Sequence, residues 1–179
     1  MKSVLISIQP KWCELIASGK KTVEVRKTKP KLPTPFKCYI YESGGNHRVG
    51  NENFNVYLKG KGRKKVIGEF VCDKIIDIDY GIEDGVCFDG EFQEGFETNG
   101  NGNNPTCLSF VDLENYLTEN EGYGWHISDL VIYDKPKELS EFEKPRDYIH
   151  INYRKRNSYF KGITRPPQSW CYVEKEGEG

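Results

Sequence analysis

The segment GKKTVEVR, residues 19–26, brings four side chains capable of chemistry close together: Lys21, Thr22, Glu24 and Arg26. In a strand, Thr22, Glu24 and Arg26 would share one face because side chains alternate. There Arg26 could contact a phosphate or a base edge, and Glu24 could accept from an amino group such as that of cytosine. Lys21 could supply a positive charge or, if desolvated, a lowered pKa suited to base chemistry. The segment therefore predicts a site for a nucleotide-like ligand.

Less specialised roles stay open for the same residues. Lys21 could be an ordinary surface residue, since lysines are mostly exposed. Glu24 and Arg26 could form a salt bridge without any ligand, on an exposed face or within the barrel, because such pairs are common and individually weak. Thr22 could act as a nucleophile only if a base lay within about 3 Å of it. The segment by itself does not decide among these roles.

Aromatic and basic residues elsewhere could extend the site. Trp12 and Tyr41 could stack on unpaired bases, although aromatic side chains more often form the core. Residues 153–165, YRKRNSYFKGITR, interleave five basic residues with aromatics and contain no acid, which suits phosphate neutralisation with stacking or, more simply, a solvated loop. The predicted ligand-contacting residues are Lys20, Lys21, Glu24, Arg26, Lys27, Trp12, Tyr41, Arg154, Lys155 and Arg156, and the predicted catalytic residues, if the protein is an enzyme, are Lys21, Thr22 and Glu24.

The charge distribution is uneven although the net charge is only −1. Residues 1–65 contain 15 Lys and Arg against 4 Asp and Glu, residues 66–147 contain 5 against 20, and residues 148–179 contain 6 against 3. Such asymmetry predicts a basic face that can meet a polyanion such as RNA, unless the oppositely charged segments neutralise each other in the fold.

Several classes of protein are disfavoured by composition. The six cysteines form no CxxC pair and no secretory segment precedes them, which favours a reduced, cytoplasmic protein. The three histidines lie far from one another and from any cysteine pair, so we expect no metal, and nothing in the sequence calls for an organic cofactor. No apolar run approaches the ~20 residues that a membrane helix needs.

The elements that would position the site alternate between strands and turns. Residues 3–8 predict a buried strand, Pro10 begins a short helix over 11–18, and Gly19 suits the left-handed residue that ends it. Further strands are predicted at 21–27, 36–43, 64–79, 125–136 and 165–175, with a helix over 112–120 whose N-cap is Asp112. Residues 44–63 predict a long loop with a short strand at NVYL, and residues 81–107 an acidic, Gly- and Asn-rich loop. This order predicts a mostly antiparallel, barrel-like α+β fold.

Several of these pieces together resemble the ASCH domain family of the PUA-like superfamily, in its bacterial and prophage-type members. The resemblance rests on ISIQPKWCELIASGKKTVEVRK, with its G-x-K-T-x-E-x-R segment, and on IYES, VIGEF, VIYDKPKEL and PQSWCYV in the same order. It implies a small, mostly antiparallel β-barrel flanked by short helices, with a cleft beside residues 19–26. The whole chain, 1–179, would be one such domain with insertions at about 44–63 and 81–107.

The resemblance also implies a function, with one departure. Relatives bind RNA or modified nucleosides, and the acetylcytidine amidohydrolases use the lysine and the second threonine of a G-x-K-T-x-T-x-R segment as catalytic residues. Here Lys21 is retained, but Glu24 occupies the position of that threonine. A carboxylate does not simply replace a hydroxyl nucleophile. The branch's remaining acidic residue falls in the region of the insertion and has no assigned counterpart.

The leading hypothesis is a domain that binds RNA or a nucleotide-like ligand beside residues 19–26 without catalysis. One rival is a hydrolase acting on a modified nucleoside, or a nuclease, with Lys21 activated and Glu24 as acid or base. Another is a regulator that acts through protein contacts, using the acidic segment 81–107 for docking; the sequence does not name its partner.

Overall fold

The computed structural model describes residues 2–45, 47–51, 54–58, 61–82, 85–93, 104–117, 121–145 and 162–175. The chain forms two compact units, one comprising Met1–Cys13, Lys37–Glu69 and Val131–Gly179, and the other Glu14–Phe36 and Phe70–Leu130. The elements in chain order are β1 (Ser3–Ile8), α1 (Pro10–Ala17), β2 (Val23–Arg26), β3 (Phe36–Glu42), β4 (His47–Asn51), β5 (Phe54–Leu58), β6 (Val66–Cys72), β7 (Ile75–Ile82), β8 (Gly85–Phe88), β9 (Glu91–Gln93), α2 (Phe110–Tyr116), β10 (Glu121–His126), β11 (Ser128–Lys137), a 3-10 turn (Leu139–Glu141), β12 (Phe142–Glu143) and β13 (Trp170–Lys175).

A six-stranded sheet in the order β11-β6-β3-β1-β13-β12 underlies the first unit. Strand β1 lies parallel to β3 and antiparallel to β13. Apolar side chains from these strands form a core in which the rings of Tyr39 and Phe142 meet edge to face at 4.8 Å. Near-continuous burial of β1 explains its run of β-branched and apolar residues, because a central strand is covered on both faces.

The second unit contains a five-stranded antiparallel sheet in the order β2-β10-β7-β8-β9. Two glycines of β10 allow close packing on one face. A Cβ at Gly124 would lie 2.8 Å from Val23 Cγ1, and one at Gly122 would lie 2.7 Å from Leu117, the residue that follows α2. The sheet thus places β2, with Glu24 and Arg26, at one end of its strand order.

The predicted α+β class with mostly antiparallel strands is confirmed, and so are β1, the helix that begins at Pro10, and the left-handed Gly19 at φ 72°. Two predicted single strands were wrong. Residues 64–79 contain β6 and the first part of β7, which belong to different sheets, and residues 125–136 divide between β10 and β11 at Ile127. Pro136 lies inside β11 instead of ending it, which is possible because β11 ends the strand order of its sheet and an edge position needs no donor.

Three other predictions also need correction. Strands β4 and β5 pair antiparallel in the segment 44–63, so the short strand predicted at NVYL is confirmed within β5 but β4 was expected to be loop, and β8 and β9 lie within the segment 81–107. Helix α2 is capped by Ser109, whose side chain accepts from Asp112 N, while Asp112 reciprocates as the third helical residue of a capping box. The helix therefore begins earlier than predicted, because the serine in front of the apolar run takes the N-cap position. Whether the chain is one domain with two insertions stays a prediction.

Gly68 should tolerate no side chain. A Cβ at this position would lie 2.4 Å from the backbone oxygen of Val131 and 3.1 Å from Ile132 Cδ1. Because backbone must move to relieve such overlap, Gly68→Ala should lower the free energy of unfolding by about 2 kcal/mol, measured by urea denaturation. Val111→Ala, at a position 58% exposed, is the control and should change it by less than about 0.5 kcal/mol. Equal unfolding midpoints for the two variants would contradict the prediction.

Candidate functional site

The predicted cluster is positioned by the end of α1 and by a distant loop. After Gly19 the backbone N–H groups of Lys20 and Lys21 both donate to Leu15 O, at 3.0 and 3.1 Å, which closes the helix. Thr22 and Val23 then donate to Pro105 O at 2.9 and 3.0 Å. The start of β2 is therefore held from both sides, and Lys21 faces the loop that contains Pro105.

That loop is braced by its own hydrogen bonds. Asn104 Oδ1 accepts from Thr106 N at 3.0 Å and from Thr106 Oγ1 at 2.7 Å, while Asn104 Nδ2 donates to Leu108 O at 2.7 Å. Thr106 is fully buried, and its carbonyl oxygen accepts from Lys21 Nζ at 2.5 Å. A fixed backbone acceptor for the lysine is thus built 85 residues away in sequence.

Three charged side chains form one buried network, which we call the charged trio: Lys21, Glu24 and Arg26. Glu24 bridges the two cations, with Oε2 lying 3.4 Å from Lys21 Nζ and Oε1 lying 2.9 Å from Arg26 Nη2. The residues are only 2%, 6% and 7% exposed. Burial lowers the pKa of Lys21, and the neighbouring Glu24 carboxylate opposes that shift by attraction and hydrogen bonding. The protonation of the Lys21 amine therefore depends on two opposing influences, its burial and the neighbouring Glu24 carboxylate.

Strand β2 has the predicted polar and apolar faces, and both of them are buried. All four residues of the strand are buried, the polar pair as well as Val23 and Val25. The register places Glu24 opposite Trp125, itself fully buried and packed edge to face on Phe36 at 5.7 Å. The polar face can be covered because its charges compensate one another. Lys21 is accordingly not an ordinary surface lysine, and the Glu24–Arg26 pair is not on an exposed face.

The other predicted site residues occupy varied positions. Lys20 and Lys27 are exposed on either side of the charged trio in sequence, and Thr22 is half-buried. Trp12 and Tyr41 belong to the first unit, where Lys11 Nζ lies 4.0 Å from the Trp12 ring and Tyr41 is part of the core. The predicted contacts Arg154, Lys155 and Arg156 lie outside the described residues.

Sequence reasoning missed Asn104, Thr106 and Tyr123. The first two lie in a segment expected to be loop, yet the triplet Asn-Pro-Thr is a turn signal that could have singled them out. Tyr123 lies directly opposite Arg26 in the β2–β10 pairing.

Within the residues that the structure describes, no three His, Cys, Asp or Glu side chains converge as metal ligands, and no helix has the length and apolarity to cross a membrane.

Comparison with known proteins identifies the domain type. Residues 6–93 match the ASCH domain family. This matched segment includes all of the charged trio, so the resemblance inferred from GKKTVEVR and its neighbours is confirmed. No curated protein matches the chain.

Solved ASCH structures share the fold. The crystal structure of ASCH from Zymomonas mobilis has a TM-score of 0.56 and 20% identity, covering 97% of this chain and 89% of that one. A structure of a mutant of the same Zymomonas mobilis protein has a TM-score of 0.54 and 20% identity, covering 98% and 92%. The predicted mostly antiparallel α+β fold is thus one that solved ASCH structures share.

Proposed function

We propose that this ASCH domain binds RNA or a nucleotide-like ligand where the charged trio reaches the surface. The observation that supports the proposal best is the burial of Lys21, Glu24 and Arg26 in one network. Removing three charges from water is costly, and apolar residues of similar size often stabilise a fold at least as well. Buried groups with shifted pKa values are concentrated at functional sites, which favours a ligand over a purely structural role.

Burial also defines how a ligand would make contact. The side chains of Glu24 and Arg26 are each 8% exposed and that of Lys21 is 1% exposed, so only the edge of the first two can meet a ligand. Arg26 would donate to a phosphate or a base edge, and Glu24 would accept from a base amino group. Lys21 would hold Glu24 in place from behind. The exposed Lys20 and Lys27 would attract the phosphate backbone, and no metal or organic cofactor is needed.

Fluorescence anisotropy of a labelled structured RNA and a matched DNA tests the proposal. We expect wild type to prefer RNA, to bind more weakly as salt rises, and to lose at least about tenfold in affinity in the double variant Lys21→Ala/Arg26→Ala. The exposed double variant Lys20→Gln/Lys27→Gln should weaken binding without affecting the fold, and Lys135→Gln/Lys144→Gln is the matched control at exposed positions. RNA binding indifferent to both test variants, or no binding by wild type, would contradict the proposal.

A second candidate function, hydrolysis of a modified nucleoside, is favoured by one observation, the lowered pKa of Lys21. Because Lys21 is 1% exposed behind Glu24, Glu24 would take the proton from water as the water attacks the amide carbonyl of acetylcytidine, and Lys21 would position that carboxylate. Cleavage of the C–N bond would release acetate, and the proton would pass to the departing cytidine amino group. Incubation with acetylcytidine should yield cytidine with wild type and none with Lys21→Met; no product with wild type would exclude this substrate.

A further inference from the structure

Tyr123 lies beside the charged trio on the same face of the five-stranded sheet. It is directly opposite Arg26 on one side and opposite Asp77 on the other. Because residues two apart share a face, Glu24 and Trp125 form the neighbouring row. Trp125 is fully buried, whereas Tyr123 is only half-buried. The row Arg26, Tyr123, Asp77 thus carries an accessible ring between a cation and an anion.

A lysine already occupies the face of this ring. Lys29 Nζ lies 4.5 Å from the centroid of Tyr123 and 3.3 Å from Asp77 Oδ1, and the lysine side chain is 46% exposed. The face of the Tyr123 ring therefore has room for at least the ammonium group of Lys29. At an exposed site the attraction between a lysine and an aromatic ring is weak, and a base stacked on the ring gains more. The flexible lysine can move aside and meet the phosphate of the nucleotide that displaces it.

We propose that Tyr123 is the stacking residue for an unpaired, amino-bearing base of RNA, an inference that rests on the function proposed above. The charges beside the ring favour a base over a phosphate at this position. The side chain of Asp77 is 67% exposed, so it repels a phosphate but accepts from the amino group of cytosine or adenine. Arg26 lies on the opposite side and donates to a base acceptor. Uracil offers no amino group to Asp77.

A second tyrosine provides a matched control. Tyr116, the last residue of α2, is also half-buried and also has a lysine over its ring, with Lys27 Nζ 5.4 Å from the centroid. It lies on a helix, outside the strand register that aligns Tyr123 with Arg26. Substitution of Tyr116 therefore measures the effect of losing any tyrosine that a lysine covers, and substitution of Tyr123 measures the effect of losing the ring beside the charged trio.

Anisotropy with labelled single-stranded oligocytidine and oligouridine tests the inference. Tyr123→Leu should lower the affinity for oligocytidine about tenfold, while Tyr123→Phe, which keeps the ring, should stay within about twofold of wild type. Tyr116→Leu, which removes a ring contact of Lys27 but keeps its charge, should stay within about twofold of wild type. Asp77→Asn should reduce the ratio of the affinity for oligocytidine to the affinity for oligouridine. Competition by free cytidine would show that a nucleoside suffices as ligand, and its failure would show that the base must be part of a chain.

The outcomes separate this inference from the proposal beneath it. Equal affinities of Tyr123→Leu and Tyr116→Leu, or a loss in Tyr123→Phe as large as in Tyr123→Leu, would overturn the stacking role. If the stacking role were overturned but RNA affinity fell in Lys21→Ala/Arg26→Ala, the proposed function would stand without a stacking role for Tyr123. Absence of RNA binding by wild type would overturn both. Circular dichroism of each variant establishes that the fold is retained.

Discussion

Glu24→Gln should lower the free energy of unfolding near neutral pH by about 3 kcal/mol, because it leaves two buried cations without their shared anion. In the wild type Glu24 lies 3.4 Å from Lys21 Nζ and 2.9 Å from Arg26 Nη2. Glutamine keeps the size of the side chain, so the loss reports charge and not packing. Urea denaturation monitored by Trp fluorescence would measure it.

The loss of stability in Glu24→Gln should become smaller as pH rises toward the ordinary lysine range. The folded-state pKa of Lys21 is already lowered by burial, and Glu24 is the main group that opposes the shift. In Glu24→Gln that pKa falls further. Between the folded and unfolded pKa values the unfolded state binds more protons, so stability rises with pH in that window. The cost of burying protonated Lys21 is therefore fully present below the folded pKa and is relieved as pH approaches the ordinary lysine range.

An exposed ion pair provides the control for this prediction. Lys65 Nζ lies 2.7 Å from Glu138 Oε1, but the two side chains are 42% and 59% exposed. Solvent screens such a pair, so Glu138→Gln should cost less than about 1 kcal/mol. Unfolding curves from about pH 6 to about pH 10 would cover the range in which the two variants should diverge. A Glu24→Gln variant no less stable than Glu138→Gln, or equally deficient at every pH, would contradict the role assigned to Glu24.

Local signals explain which elements were predictable. Strand β1 is a run of apolar and β-branched residues, and α1 begins at Pro10 and is followed by Gly19 with positive φ. In each case residues adjacent in sequence determine the backbone. The division between β6 and β7 has no such signal. There Lys74 O accepts from His126 N at 3.0 Å, and Asp73 Oδ1 lies 2.7 Å from His126 Nδ1, so the turn is stabilised by a residue more than fifty positions away.

The candidate site was predictable in part for the same reason. Strand alternation correctly placed Glu24 and Arg26 together, because residues two positions apart in a strand lie on one face. Burial of the charged trio was not predictable. It depends on Thr106, whose backbone oxygen receives the Lys21 ammonium, and on Trp125, which lies opposite Glu24. Neither contact can be inferred from the spacing of residues 19–26, since both are made with residues distant in sequence.

Lys21→Met should separate function from stability. Methionine fills a similar volume without charge, so it removes the cost of burying an ammonium group while leaving Glu24 paired with Arg26 at 2.9 Å. Thr106 O loses its donor, which costs about 1 kcal/mol and offsets part of the gain. The net free energy of unfolding should therefore stay within about 1 kcal/mol of wild type or rise.

RNA affinity should behave differently in the same variant. Without the Lys21 charge Glu24 loses the contact that holds it from behind, and the affinity should fall at least about tenfold in the anisotropy assay. Stability and affinity both unchanged would identify the trio as a structural network. A loss of more than about 3 kcal/mol would instead show that the fold needs the buried ammonium. Retained stability together with lost binding is the combination that a ligand site requires, because only a functional demand then explains why a buried lysine is kept.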